Sequence, residues 1–323
     1  MNSMKKIKFI PVLMITALLS ACGGDKGVVV KAPKFAKQGK EVEAAQFIED
    51  FSKVVSELPF LQENAELKSR KLVAKGSFET KETYKYKDQL MAEDHKKEVE
   101  EGTYVIDAKN LVVGVELNSA TERVNKDPWT EVTTKGTEKN IFTLQEGELE
   151  DKNCCLMVNK TNKEVSPMTE ITEASTMKDI ILSVSVEAAY DVLYLAEAAS
   201  LCESYATMTD AQKACYKFYE NKNIYTVEFA DEYTEGSKED SIYKGKMTQK
   251  MQYEIKEGNL AFRLSSIEEE TIETFVTMTS SPNYLAGDYR ENRYEQYIES
   301  VLKDGKYTAK PLDYSDYTIV HMG

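Results

Sequence analysis

Histidine and tryptophan are scarce in this sequence. Its 323 residues include two histidines, His95 and His321, and one tryptophan, Trp129. Neither histidine sits in a His-Glu-x-x-His or other metal-ligand spacing, and the common zinc-hydrolase pattern is therefore missing. There is also no Gly-x-Ser-x-Gly elbow, no glycine-rich phosphate loop, no Cys-x-x-Cys pair and no Asp-x-Asp-x-Asp-Gly calcium loop. Acids number 55, so carboxylate pairs abound and none stands out as a glycosidase pair. No metal or cofactor is expected, and no catalytic residue can be nominated. Basic charge is short as well: 41 Lys and Arg leave a formal net charge of −14. An acidic surface repels nucleic acid and anionic headgroups, so neither is an expected partner. Long apolar runs are missing too. The longest, Ile7 to Leu19, falls short of the ~20 residues that a spanning helix requires.

That short run is nevertheless informative. It follows the basic segment Met4-Lys5-Lys6-Ile7-Lys8 and closes on Leu19-Ser20-Ala21-Cys22. A basic start, an apolar stretch and small residues before a cleavage point make a secretory signal. The four closing residues resemble the lipobox of bacterial lipoproteins. The resemblance covers only the N-terminus. It implies cleavage before Cys22, lipid on its thiol (palmitate among the acyl groups), and a chain held to the extracytoplasmic face of a membrane, an outer membrane included. Loss of residues 1–21 removes three lysines and no acid, which makes the remainder more acidic still. Residues 22–40 read as a flexible tether. Four further cysteines follow. Cys202 and Cys215 are a candidate disulfide, while the adjacent Cys154 and Cys155 would form a strained one.

Glu41 to Leu58 carries Val42, Ala45, Ile48, Phe51, Val55 and Leu58 at helical steps and ends at Pro59. From about Leu67 to Asn159 the pattern is that of strands. Leu111, Val113, Val115 and Leu117 share one face, further strands fall near Ile141–Leu144 and Cys154–Val158, and Asp127-Pro128-Trp129 marks a loop. Thr176 can cap a helix running to about Tyr205. Thr209 and Gln212 form a capping box for a second helix, Ala211 to Glu220. Strands resume at Ile224–Phe229. A long hairpin then turns at Lys256-Glu257-Gly258-Asn259, with Tyr243, Met247, Met251, Tyr253 and Ile255 on one face of its first arm. Leu260, Phe262, Leu264, Ile272, Val276 and Met278 follow on the second. Arg290 to Lys303 fits a helix or a strand, and the tail reads as irregular or as a final edge strand.

The two halves look alike at an offset of 149 residues. Tyr104-Val105-Ile106 falls on Tyr253-Glu254-Ile255, Asn110-Leu111 on Asn259-Leu260, and Val113 and Val115 on Phe262 and Leu264. The expected fold class is therefore α+β: two similar modules, residues 41–165 and 166–323, each packing amphipathic helices on a curved antiparallel sheet. This order of elements resembles bacterial lipoprotein carriers of the LolA and LppX/LprG kind, which implies acyl chains held between sheet and helices. Met247, Met251, Tyr253, Phe262 and Met278 are the candidate lining of such a cavity. The expectation is a non-enzymatic envelope lipoprotein that binds a lipid-like ligand or an envelope protein. The alternatives are an interaction or structural lipoprotein with filled cores and, at lesser weight, a wall or glycan hydrolase.

Overall fold

The computed structural model describes residues 27–62, 64–256, 259–275 and 285–320. Its centre is one 13-stranded sheet, built from β1 (Lys40–Val42), β2 (Arg70–Tyr86), β3 (Gln89–Asp107), β4 (Val112–Lys126), β5 (Glu131–Leu149), β6 (Lys152–Asn159), β7 (Glu164–Glu170), β8 (Tyr216–Asn221), β9 (Ile224–Gly236), β10 (Ser241–Lys256), β11 (Asn259–Thr274), β12 (Asp288–Asp304) and β13 (Thr318–Ile319). The order across the sheet is β1-β8-β9-β10-β11-β12-β2-β3-β4-β5-β6-β7-β13. Every neighbour pair is antiparallel except β13 on β7. Each half of the chain is a meander, and the last strand of the second pairs with the first strand of the other along 17 residues, Arg70↔Asp304 to Tyr86↔Asp288.

This corrects the expected fold class. There are not two α+β modules with a sheet each; there is one sheet with helices on one of its faces. The apolar alternation of β2 and β12 tells which face each residue takes, but a pairing partner more than 200 residues away leaves no local mark. Arg290 to Lys303 is strand, as part of β12. The expected helix from Ala211 to Glu220 is short. α4 (Asp210–Ala214) keeps its capping box, and β8 follows at once because Phe218 must point into the core.

α1 (Ala44–Ser56), α2 (Met177–Val192) and α3 (Leu195–Ser204) cover one face near the turns that join β3 to β4 and β8 to β9. α2 starts at a capping box in which Thr176 and Asp179 satisfy each other's backbone N–H. The helix expected to run on to Tyr205 breaks at Tyr194, whose backbone is left-handed (φ 51°, ψ 37°). The covered end holds the alternating apolar residues, such as Leu72, Tyr104, Val113, Val115, Leu260 and Phe262. Burial of such side chains contributes about 1.5–3 kcal/mol each.

Eight strands, β9-β10-β11-β12-β2-β3-β4-β5, run on past the helices to a far end marked by the turns Lys87-Asp88 and Asp127–Thr130. Charge replaces the apolar pattern there. Cross-strand ion pairs lace the surface, among them Arg123 with Asp94, Lys135 with Glu122 and Lys81 with Glu93. Exposed pairs of this kind stabilise little singly, but opposite charges across strands favour one register. Two-residue turns with both residues at positive φ join β2 to β3 (Lys87, Asp88) and β5 to β6 (Glu150, Asp151), and they match the twist of the strands they connect.

Candidate functional site

The second face of the sheet is covered by the two ends of the described chain. The C-terminal tail lies over β5, β6 and β7, where Leu312, Tyr314 and Tyr317 pack on Cys154, Leu156, Val158 and Val165. Leu312 is tied through its N–H and its carbonyl to the amide group of Gln145. Asp107 joins this tail to the β3–β4 turn. Its carboxylate accepts N–H groups of Lys109, Asn110 and Ala309. Burial opposes its ionisation, but these hydrogen bonds outweigh burial and hold it below the ordinary carboxylate range.

Residues 27–39 form a strap across the same face. The expected tether is thus, from Gly27 on, laid against the sheet. The Val28 N–H donates to Glu122 Oε2 at 3.1 Å, and this bond holds Glu122 below its usual range. Ser77 bonds both to the Lys31 N–H (3.3 Å) and to its carbonyl (3.2 Å). Gln252, wholly buried in β10, takes the Ala36 N–H at 2.7 Å and returns a bond to the Ala36 carbonyl at 3.2 Å, while Thr226 Oγ1 supports it at 3.0 Å. Lys250 bonds Gln38, pairs with Glu228 and sits over the Phe35 ring. Gly39 then passes so close to the Glu220 carbonyl that a Cβ there would lie 1.6 Å from its oxygen. Only glycine permits this approach.

Between strap and sheet lies an open cleft of about 520 Å³. Val29, Ala32, Pro33, Val99 and Ala120 give it apolar walls, and Lys31, Lys34, Lys75, Asn118, Glu101 and Glu299 give it polar ones. Lys75 and Glu101 pair at 3.3 Å. Tyr297, also on the wall, is pushed up to about 12 by burial and by its bond to Glu295. No local sequence pattern marks this cleft. The polar Gln252 in the most apolar stretch of β10 marks the strap that roofs it.

The residues nominated for a cavity between sheet and helices are placed as follows. Tyr253 and Phe262 are 2% and 0% exposed, with ring centroids 4.9 Å apart, and Met251 packs beside them. Phe51 lies 5.1 Å from Tyr253, Tyr194 stacks on Phe262 at 5.1 Å, and Phe47 meets Phe218 and Tyr225. Rings fill the space around these positions. Met247 sits farther along β10, beyond this layer, opposite Glu268 and Asp231. Met278 lies outside the described residues, as do Leu19, Ser20, Ala21, Cys22 and His321. Cys202 and Cys215 are both free thiols, with the Cys215 Sγ directed at the Ala211 carbonyl. Cys154 and Cys155 are free and buried, and burial pushes Cys155 up to about 12. His95 pairs with Glu79 at 2.6 Å on the polar part of the sheet.

At the rim of the helix layer, burial raises Glu100, Glu187 and Asp191 above the ordinary carboxylate range. Burial, helped by Asp191 and Glu100, pushes Tyr104 up to about 12. Among the described residues no three His, Cys, Asp or Glu are grouped to hold a metal. No described helix is long and apolar enough to cross a membrane.

No family model matches this chain, and no curated protein does. Several solved structures are weakly similar. The outer membrane protease OmpT from Escherichia coli is 7% identical over 74% of this chain and 97% of its own, with a TM-score of 0.22. OccK7 from Pseudomonas aeruginosa is 6% identical over 73% and 98%, at 0.18. The translocator domain of the autotransporter NalP from Neisseria meningitidis is 6% identical over 80% and 96%, at 0.15. At these scores the likeness carries no argument about fold or activity.

Proposed function

We propose that this chain is a bacterial envelope lipoprotein, anchored through Cys22 to the extracytoplasmic face of a membrane. Its folded part serves as a non-enzymatic interaction or structural module with a full core. The observation that carries the second statement is the ring layer of Phe47, Phe51, Tyr194, Phe218, Tyr225, Tyr253 and Phe262, which occupies the space a carrier would keep open. It favours a filled-core module over a carrier with acyl chains between sheet and helices. The anchor rests on Leu19-Ser20-Ala21-Cys22 and the basic and apolar segments before it.

An internal duplication is part of the same proposal. Shifted by 149 residues, α1 lands on α3, β2 on β9, β3 on β10 and β4 on β11, which supports it.

Organic-solvent extraction of the purified protein, followed by mass spectrometry, tests the core. The expected extract holds no stoichiometric apolar ligand; one that co-purifies mole for mole would restore the carrier. Palmitate labelling tests the anchor. The label is expected on the wild type and lost in Cys22→Ser, and a Cys22→Ser chain that stays labelled would remove the lipoprotein reading.

A further inference from the structure

Trp129 is the chain's single tryptophan, and it stands 85% exposed at the far end of the β4–β5 hairpin. Its turn is firmly built. The Asp127 carboxylate accepts the N–H groups of Trp129 and Thr130 at 2.7 Å each and the Thr130 hydroxyl at 2.8 Å, and the Asp127 N–H returns to the Thr130 carbonyl. Pro128 fixes the backbone between them. Val132, the next large apolar side chain of the hairpin, is 52% exposed. A rigid turn thus holds the largest apolar side chain in water.

The strap points to what covers it. Each hydrogen bond made by the strap's backbone lies nearer the far end than the one after it in sequence. Ala36 is held by Gln252, which is level across the sheet with Asn118 of β4. Lys31 is held by Ser77, level with Ala120, and Val28 by Glu122 itself. Followed toward its N-terminus, the strap crosses the sheet from β10 to β4 and advances from the level of Asn118 to that of Glu122, toward the Trp129 turn. Gly27 abuts the Glu122 carboxylate, and Cys22 is five residues upstream. Five extended residues span about 17 Å. From Glu122 to Lys126, where the turn begins, β4 rises about 13 Å. Five residues are therefore chain enough to reach from Gly27 to the level of the tip.

We infer that the β4–β5 tip is a membrane-contact site, with Trp129 seated at the headgroup boundary of the bilayer that holds the lipid on Cys22. This rests on the lipoprotein reading. Tryptophan suits that boundary because its ring is apolar and its N–H can still find a polar partner there. Charge attraction has no part in the contact. Lys126 pairs with Glu131, Asp127 is acidic, and the whole chain is at −14. The site therefore fits zwitterionic headgroups.

The test uses the full lipidated chain reconstituted into phosphatidylcholine vesicles, with and without acyl chains brominated near the headgroup. All tryptophan emission comes from Trp129. The expected result is that the protein floats with the vesicles, its emission shifts to the blue, bromine quenches it, and aqueous iodide quenches it less than in the unanchored Cys22→Ser protein. Flotation with unshifted, iodide-accessible emission overturns the contact and leaves the anchor standing. A blue shift without bromine quenching also overturns it, since a protein surface then covers the ring. Failure of the lipidated chain to float overturns both readings.

Discussion

At the scale of residues, the break between α2 and α3 is held from below. The Tyr253 hydroxyl donates to the Tyr194 carbonyl at 2.7 Å, at the one point where the helix backbone turns left-handed. Tyr253→Phe keeps the ring and removes one of the two donors to this carbonyl, the Ala198 N–H being the other. The expected loss is about 0.5–1.5 kcal/mol of unfolding free energy, read by chemical denaturation. Glu100 acts through pH. Burial is the main cause that raises it, Glu98 adds to that, and Lys96 opposes both. The folded chain thus binds this proton more tightly than the unfolded chain. Its contribution is fully present below the ordinary glutamate range and is lost as pH rises through the raised value. Glu100→Gln should therefore be more stable than the wild type near neutral pH, with the difference vanishing in acid; the same denaturation series at two pH values checks it. The Thr176 cap and the Thr209 capping box were legible in the sequence because capping partners stand three residues away. Tyr194 was not, because its conformation is set by Tyr253 and Phe262 from another part of the chain.

At the scale of elements, the strap depends on close approach. Gly39→Ala forces a Cβ into the Glu220 carbonyl and must displace the strap or β8. Overpacking of this kind costs about 1–3 kcal/mol. Limited proteolysis should cut the variant within residues 27–39 at doses that leave the wild type whole. Helix and strand patterns were readable wherever a single periodicity held, as for α1 and β4. They failed where the chain changes state within a few residues, as at Ala214 to Tyr216, and where tyrosines alternate with acids, as in β12. The strap itself has a tether's composition. Its order comes from Ser77, Gln252 and Lys250, residues on strands far along the chain, so local composition could not reveal it.

At the scale of the whole molecule, pattern and pairing part company. The sequence shows which residues face a core, and Val113, Val115, Tyr253 and Phe262 are all found there. It does not show how many sheets share those faces. Two similar meanders could close as two modules or join edge to edge, and the charged strands beyond the helices are compatible with either. The junction of β12 with β2 decides. In one continuous sheet these strands are the sixth and seventh of 13; in two modules each would be an edge. Amide hydrogen exchange over residues 70–86 and 288–304 measures this directly. A continuous sheet predicts slow exchange for both alternating sets of amides in each strand at the helix-covered end, because those on one side bond across the junction. Fast exchange of the set that faces the junction, with the other set protected, would contradict the single sheet.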